Sequence, residues 1–441
     1  MRDNFIVKTI IVILSVIITS FYFFTFKFTY FGGANTKTVL AGFALLLILI
    51  QMAKGRKLGV SKDIVVFTAY SLCISLTCLV AVVYNGTLDY TYATYFVSML
   101  VWMAAAFAVL LILRHLNGTL TFDLLSNYLI LVCVVQCVLA LLINRLPMVR
   151  NFAFHIMPGL EGLSRYAEGR LFGIGCAFDV AGIRFSCVLV LIIRMIYRQF
   201  QKIEVNKQRV FLYWFSFFVI TVVGNMIART TTVGAAIALT YMLFLSIRSS
   251  RKTTWPLYGS LFLVLLVFVP LSIFLYKNDP AFRADFRFGF EGFVSLIETG
   301  EWEVSSNEIL ATMYRFPETL KTWLVGDGYI ESANSDPYYL GEYYLGYYKG
   351  TDVGYLRFIY YAGLPFLVAF LVFFIYVTKT CMQHYEDDKM MFVFIFLVQL
   401  AVWLKVATDV FMFFALFVAF GKLEYAQDIE EPSKKIETDG K

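Results

Sequence analysis

Arginine is the residue type with the clearest potential for chemistry in this sequence. An arginine in or beside hydrocarbon costs free energy unless it snorkels, pairs with an acid or lines a watery cavity. Its guanidinium stays charged and forms bidentate hydrogen bonds with phosphate oxygens. Six arginines fall in segments that we predict to lie at one face of a membrane: Arg165, Arg170, Arg184, Arg229, Arg315 and Arg357. Each alone could snorkel or pair with a nearby acid, but as a group they favour a shared anionic ligand such as a diphosphate.

One charge interrupts an apolar hairpin at residues 228–234, Ala-Arg-Thr-Thr-Thr-Val-Gly. The three hydroxyls after Arg229 suit the N-terminal cap of the next helix. That helix terminus would place a partial positive charge beside the guanidinium. Asn225 lies one turn earlier and could share the same face. The stretch predicts either part of an anion site or a plain capped turn.

Residues 276–353 form a polar insert in a chain that is otherwise apolar. Connections of this length are uncommon and usually carry function. The insert holds 13 acidic residues against 6 basic ones, which argues against nucleic acid as a partner. Tyrosines crowd its last part, and a tyrosine ring can stack on a sugar while its hydroxyl forms hydrogen bonds. Anchoring to lipid headgroups is the alternative role. The candidate glycan-binding tyrosines are Tyr338, Tyr343 and Tyr347.

The composition places these residues in a membrane protein. The chain is 60% hydrophobic and 15% charged, with a mean hydropathy of +0.73. Repeated apolar runs of about 20 residues are long enough to cross the hydrocarbon core as helices. We therefore predict an all-α polytopic integral membrane protein with about twelve spans, of which the last two are short enough that ten or eleven remain possible. The predicted spans are 5–26, 36–53, 64–84, 92–113, 124–143, 177–197, 210–228, 231–247, 256–275, 354–378, 390–404 and 408–422.

The loops divide the chain into predicted regions. Residues 1–275 form an N-terminal bundle of about nine spans that includes an external loop at 144–176. The large external loop at 276–353 lies between spans 9 and 10, and residues 354–425 carry the last helices. Lys and Arg concentrate in the loops that share a side with both termini, so the positive-inside rule places both termini in the cytoplasm. The charged tail at 426–441 is predicted to be disordered.

Several common sites have no signal in this sequence. It contains no Walker loop, dinucleotide fingerprint or zinc-protease helix motif. His115, His155 and His384 fall on different loops, so a histidine-based metal site is not expected. No cysteine falls in the long loop, and the pair Cys133 and Cys137 is interpreted as buried apolar residues. We expect neither a metal nor a cofactor.

The motifs together resemble the O-antigen polymerase family of the Wzy type, within the O-antigen ligase and polymerase superfamily. Arg315 and Gly326 enclose ten residues, which fits the family's Arg-x10-Gly spacing. Gly326-Asp-Gly-Tyr329 resembles the glycine-rich segment that follows in the family, and Arg170-Leu-Phe-Gly-Ile-Gly resembles its arginine-led segment in an earlier loop. Asp352 stands at a position where the family often holds histidine or asparagine.

The resemblance implies a fold, a substrate and a location. It implies a bacterial inner-membrane protein that acts on glycans carried by undecaprenyl diphosphate at the periplasmic face. The growing chain would pass from its lipid diphosphate to a newly flipped lipid-linked repeat unit, with no metal or nucleotide. A chain-length regulator and a flippase would act in the same pathway, and the product would be O-antigen, capsule or exopolysaccharide.

A mechanism can be assigned to the candidate residues as a hypothesis. Arg170, Arg229 and Arg315 would bind the donor diphosphate and stabilise the charge that develops on its departure. Arg165, Arg184 and Arg357 would help to bind substrate. Asp352 and Glu308 are the candidates for the general base that deprotonates the acceptor hydroxyl. A glycan ligase, a lipid-linked oligosaccharide transporter and a non-enzymatic assembly partner remain open as alternatives.

Overall fold

The protein is described by a computed structural model, which covers residues 5–29, 32, 34–55, 61–157, 170–344 and 346–422. Two predictions fall outside this part of the chain. Arg165, a candidate ligand for the substrate, is one, and the disordered tail at 426–441 is the other.

The described residues form helices joined by loops and short turns, and they include no β-strand beyond two isolated bridges. In chain order the helices are α1 (Phe5–Phe23), α2 (Thr36–Ala53), α3 (Lys62–Asn85), α4 (Tyr95–Asn117), α5 (Phe122–Arg145), α6 (Pro147–Ile156), α7 (Phe178–Gln201), α8 (Lys207–Ile227), α9 (Thr230–Ile247), α10 (Arg251–Asn278), α11 (Pro280–Gly289), α12 (Glu291–Glu298), α13 (Ser305–Thr312), α14 (Leu320–Leu324), α15 (Gly354–His384), α16 (Lys389–Val402) and α17 (Phe411–Lys422).

Ten of the described helices are long and apolar enough to cross a membrane. They are α1 to α5, α7 to α10 and α15, and their ends lie within a few residues of the predicted spans except where α15 continues to His384. The last two predicted spans correspond to the shorter helices α16 and α17. The all-helical polytopic class is therefore confirmed, because these helices have the length and composition that a bilayer requires.

Helix α7 forms the centre of the bundle. Every residue from Ala181 to Tyr197 is buried, which is the pattern of a helix surrounded by protein on all sides. Small residues let α9 approach it closely, because a Cβ on Gly234 would lie 2.2 Å from Ser186. By contrast, α10 buries only Leu257 and Val264, so most of its surface faces outward.

Helix α15 is broken after two turns. Ala362 and Gly363 have non-helical backbone angles, and Gly363 has a φ of +73°. The break frees the carbonyl groups of Tyr360 and Tyr361, which accept hydrogen bonds from the backbone N–H groups of Asp327 and Gly328. The glycine-rich segment therefore completes the hydrogen bonding of a helix that is otherwise interrupted.

Candidate anion-binding site

A cavity of about 280 Å³ opens among α2, α4, α7 and α15. We call it the central cavity. Three cationic residues line it, Lys37, Arg184 and Arg357. Two carboxylic acids, Glu331 and Asp409, and the ring of Trp102 line it as well. The walls thus carry one more positive charge than negative charge when every group is ionised. Such a cavity suits an anionic ligand.

Arg184 is the member with the fewest partners. The residue is 7% exposed, and its guanidinium lies 5.7 Å from the ring centroid of Phe24. Among the described residues, no oxygen lies within hydrogen-bonding or ion-pairing range of its nitrogens. A buried cation without an acceptor is costly. The position therefore favours binding of an anion from outside the chain.

Lys37 lies at the start of α2 and reaches the same cavity. Its ammonium group lies 4.6 Å from the ring centroid of Trp102. No carboxylate within the described part of the chain forms an ion pair with it. Asp409 is held instead by its own chain, since its Oδ1 accepts a 2.9 Å hydrogen bond from the N–H of Phe411. Two of the three cations thus remain available to a ligand.

Arg357 is fixed more tightly. Its Nη2 donates to the carbonyl oxygen of Ile330 at 2.8 Å and its Nε donates to the same oxygen at 3.2 Å. Nη2 also lies 3.4 Å from Glu331. The ring centroid of Tyr347 lies 3.4 Å from the guanidinium carbon. These contacts hold the charge at the wall of the cavity.

The segment at 326–331 is positioned from two sides. From the α3–α4 loop, Asp89 Oδ2 accepts from the N–H groups of Ile330 and Glu331 at 2.8 and 2.9 Å. Thr87 Oγ1 donates to the carbonyl of Gly328 at 2.9 Å. On the other side lies the break in α15. The segment thus carries Ile330 and Glu331 to the rim of the central cavity.

A second cationic pair lies around the ring of Phe288. The guanidinium carbon of Arg229 is 4.3 Å from the ring centroid and that of Arg170 is 5.1 Å from it. Arg229 also forms a 2.7 Å ion pair with Glu291 and donates to Ser306 at 2.9 Å. It lines a cavity of about 250 Å³ with Lys405, which we call the Arg229 cavity.

Asp352 lies close to groups from both cavities. The N-terminus of α15 packs on the α16–α17 loop, where a Cβ on Gly354 would lie 2.6 Å from the carbonyl oxygen of Val406. Burial raises the pKa of Asp352, while Arg357 and Lys405 act in the opposite direction and Asp179 adds to the increase. Lys405 Nζ is 3.6 Å from Asp179. A carboxyl with a raised pKa is suited to general-base chemistry.

The pKa of Glu331 is also raised. Burial raises its pKa, the Arg357 guanidinium lowers it, and Asp89 contributes a smaller increase. Its carboxylate is the acid nearest to Arg357, so it is better suited to orienting that arginine than to accepting a proton.

The structure separates the predicted site residues into groups. Arg184 and Arg357 share the central cavity, and Arg170 and Arg229 share the ring of Phe288. Arg315 is exposed on the long loop, where its Nη1 lies 3.3 Å from the carbonyl of Lys349. It lines neither cavity.

The remaining candidates lie on the long loop, and all but Tyr347 are exposed. Glu308 is exposed on α13. Tyr338 and Tyr343 are 77% and 73% exposed, whereas Tyr347 lies under Arg357. The exposed pair is free to contact a large ligand. Tyr347 instead contacts Arg357, one of the cations of the central cavity.

Sequence reasoning missed Lys37, Glu331 and Asp409. Lys37 and Asp409 each stand at the edge of an apolar run, and both had the appearance of ordinary charges at the ends of spans. A signal was present, since an ionisable residue at such a position is a functional candidate by default. Nothing in the sequence, however, placed the first residues of α2 beside the loop before α17.

The fold and these cavities define a helical membrane-embedded protein with a buried cationic site. Comparison of the chain with protein-family models, with curated proteins and with solved structures finds no match. Among the described residues, no cluster of three His, Cys, Asp or Glu side chains is placed to hold a metal ion.

Proposed function

We propose that this chain is a polysaccharide polymerase of the O-antigen polymerase type, a glycosyltransferase that uses a donor linked to undecaprenyl diphosphate. The observation that carries the proposal is the buried guanidinium of Arg184, which has no acceptor among the described residues, beside Lys37 and Arg357 in one cavity. A diphosphate is a compact dianionic or trianionic group whose oxygens match such a set of donors.

The reaction would place the donor diphosphate in the central cavity. An acceptor sugar hydroxyl attacks the anomeric carbon of the donor glycan, a new C–O bond forms, and the bond from that carbon to the diphosphate oxygen breaks. Lys37, Arg184 and Arg357 stabilise the negative charge that the departing lipid diphosphate gains. Fixed cations in a water-poor cavity are effective here because they need no reorganisation at the moment of reaction.

Asp352 would take the proton from the acceptor hydroxyl. Its raised pKa strengthens it as a base compared with an ordinary aspartate. The charges of Arg357, from the central cavity, and of Lys405, from the Arg229 cavity, both act on its pKa. Glu308, the other predicted base, is exposed, whereas Asp352 is half-buried and under the influence of the Arg357 and Lys405 charges, so we assign the role to Asp352.

The Arg229 cavity would bind the second substrate. A polymerase joins two lipid-linked glycans, and therefore needs a place for two diphosphates. Arg170 and Arg229 would hold the diphosphate of the acceptor. The diphosphate would replace Glu291 as the ion-pair partner of Arg229. The sugars of the repeat unit would extend toward Asp352 along the long loop. Arg315, Tyr338 and Tyr343 are exposed there and would contact these sugars.

The membrane arrangement follows from this assignment. We place both termini in the cytoplasm and the insert at 276–353 on the periplasmic side of the bacterial inner membrane. The short helices α16 and α17 would complete twelve spans, with their connecting residues 403–410 recessed below the membrane surface. That recess would form the floor of the central cavity, to which Thr408 and Asp409 contribute. A flippase and a chain-length regulator would be pathway partners.

The experiment uses the purified full-length chain in lipid vesicles with undecaprenyl-diphosphate-linked repeat units as the sole substrate. A ladder of products with increasing numbers of repeats is expected. A ligase would leave the single repeats unchanged until a different acceptor is added, and a transporter would move them across the vesicle membrane without joining them. Either result would overturn the assignment as a polymerase.

A further inference from the structure

A single peptide group links an acid of the α3–α4 loop to a cation of the central cavity. Asp89 Oδ2 accepts hydrogen bonds from the N–H groups of Ile330 and Glu331 at 2.8 and 2.9 Å. The carbonyl oxygen of Ile330 accepts from Nε and Nη2 of Arg357 at 3.2 and 2.8 Å. That carbonyl and the N–H of Glu331 belong to one peptide group, which we call the 330–331 peptide. Its two ends therefore contact groups of opposite charge.

The dipole of the 330–331 peptide has the favourable direction at both ends. Its N–H group faces the Asp89 carboxylate and its carbonyl faces the Arg357 guanidinium. Each ion polarises the peptide and so strengthens the hydrogen bond that the peptide forms with the other ion. Hydrogen bonds to charged groups are also stronger than neutral ones. The carboxylate thus acts on the guanidinium without touching it.

Asp89 is itself held firmly. Its Oδ1 accepts hydrogen bonds from the N–H and the hydroxyl of Thr91 at 3.2 and 2.6 Å. Its backbone carbonyl accepts from the hydroxyl of Tyr361 at 2.8 Å, and Tyr361 is fully buried in α15. Both carboxylate oxygens are therefore occupied, and the side chain cannot turn without breaking several hydrogen bonds. Asp89 is a fixed reference point for the peptide that contacts Arg357.

The contacts of Arg357 leave one of its nitrogens for a ligand. The Ile330 carbonyl takes Nε and Nη2, and the ring of Tyr347 covers one face of the guanidinium. Nη1 donates no hydrogen bond to any described residue. The Glu331 side chain, 3.4 Å from Nη2, is 57% exposed, and water weakens an ion pair of that kind. A direct contact with a buried acid would neutralise the guanidinium, whereas a peptide contact orients it and preserves its charge.

We propose that Asp89 is a positioning residue of the central cavity, which orients Arg357 through the 330–331 peptide so that Nη1 meets a phosphate oxygen of the ligand. The inference rests on the proposed function, because it takes a diphosphate as that ligand. It extends the anion site beyond the residues that line the cavity to an acid in the α3–α4 loop. This acid supports anion binding, although its own charge opposes it.

The sign of one substitution separates this role from simple electrostatics. Removal of a negative charge near an anion site should strengthen binding of the anion, because it weakens the repulsion. Asp89→Asn removes that charge, and its amide must present its N–H₂ group either to Thr91 or to the 330–331 peptide. We therefore expect Asp89→Asn to weaken binding of inorganic diphosphate about tenfold. The affinity is measured by isothermal titration calorimetry with the purified full chain in detergent.

A double-mutant cycle shows whether the effect passes through Arg357. Arg357→Gln removes the guanidinium, while Lys37 and Arg184 remain to bind the probe. In this background Asp89→Asn should change the affinity less than about twofold, because the group on which it acts is gone. An Asp89→Asn effect that is equally large in both backgrounds would overturn the proposal. So would tighter binding of inorganic diphosphate by Asp89→Asn, or no binding by the wild type.

Asp327→Asn is the matched control, since it loosens the same segment without touching the 330–331 peptide. The Asp327 carboxylate accepts from Lys321 and Thr322, each at 2.9 Å. We expect this variant to lower the midpoint of thermal unfolding and to leave the diphosphate affinity within about twofold of the wild type. A loss as large as that of Asp89→Asn would mean that any disturbance of the segment weakens binding, which would contradict the proposal. This comparison decides alone if Arg357→Gln binds too weakly for the cycle.

Tyr361→Phe provides a second route if Asp89→Asn does not fold. The substitution keeps the buried ring and removes the hydroxyl that holds the Asp89 carbonyl. We expect a loss of diphosphate affinity of about threefold, which disappears in the Arg357→Gln background. An unchanged affinity in Tyr361→Phe would then overturn the proposal.

The failure of the proposed function would look different. Coupling between Asp89 and Arg357 in the binding of inorganic diphosphate, by a protein that yields no glycan ladder, would leave this inference intact and overturn the polymerase. A ladder made by a protein in which the two residues are not coupled would do the reverse.

Discussion

The guanidinium carbon of Arg357 lies 3.4 Å from the ring centroid of Tyr347. The contact joins a residue at the start of α15 to the tyrosine-rich end of the long loop. Arg357 is 5% exposed, and a desolvated cation over an aromatic face gains about 2 kcal/mol. The loop therefore helps to set the position of a charge in the central cavity.

Substitution of Tyr347 should reveal this dependence. Tyr347→Leu removes the aromatic face and should lower the polymerisation rate by up to about 30-fold, the factor that corresponds to about 2 kcal/mol. Tyr347→Phe keeps the ring and should restore most of the rate. Initial rates with the purified chain provide the measurement, and equal rates for the two variants would contradict the role of the ring.

Gly326 is required by a close approach to the break in α15. Its φ is +79°, and a Cβ would lie 2.5 Å from the carbonyl oxygen of Tyr361. Gly326→Ala should therefore displace the segment that carries Ile330 and Glu331. We expect the midpoint of thermal unfolding to fall about 5 °C further than in a variant with backbone strain alone.

Gly300→Ala is the matched control for that comparison. Gly300 has a φ of +80° but no atom within 4 Å of an added Cβ. Thermal unfolding of the two variants in the same detergent separates the shared backbone strain from the clash. Equal midpoints would mean that the break tolerates a side chain at position 326.

The pH dependence of the reaction should report on Asp352. A base must be deprotonated, so activity is lost as the pH falls through its pKa. Because burial raises that pKa, the acid limb should lie at higher pH than for an ordinary aspartate. Lys405→Gln removes a charge that lowers this pKa, so the limb should move to still higher pH.

Asp179→Asn should move the limb in the opposite direction. The Asp179 carboxylate raises the pKa of Asp352, and its removal lowers that pKa. Rate–pH profiles of the three proteins test both signs. A limb that stays in place in both variants would remove Asp352 from the role of base.

The exposed tyrosines should affect binding of the acceptor more than the chemical step. Tyr338→Ala and Tyr343→Ala each remove an exposed aromatic ring that could stack on a sugar. We expect KM for the repeat unit to rise about threefold to tenfold with kcat nearly unchanged, as for an interaction made equally in the ground and transition states. A fall in kcat at constant KM would contradict this.

The helices were predictable because the apolar runs match the thickness of a bilayer. The break at Ala362 and Gly363 was not predicted, although Gly363 and Pro365 follow each other closely enough to signal one. We predicted residues 354–378 as one continuous span because the hydropathy does not change at the break. The partner that stabilises the break, the segment from Gly326, comes from a distant part of the sequence.

Only part of the grouping of charged residues around the central cavity was predictable. The positions of Arg184 and Arg357 in or beside apolar runs marked them, since a charge there needs a reason. Their grouping with Lys37 and Asp409 depends on how α2, α7, α15 and α17 pack. No spacing in a single sequence contains that packing, and the same limit applies to the separation of Arg315 from the other arginines.

The most direct test of the central claim is the glycan ladder formed in cells that lack the chromosomal copy of this chain's gene. The cells would express wild type, Arg184→Lys or Arg248→Lys at matched membrane abundance. Arg248 is the control, because it is an exposed arginine directly after the last residue of α9. We predict a full ladder from wild type and Arg248→Lys. Arg184→Lys should give almost only single repeats, since loss of one preorganised donor costs about 100-fold or more in rate. A full ladder from Arg184→Lys would contradict the account.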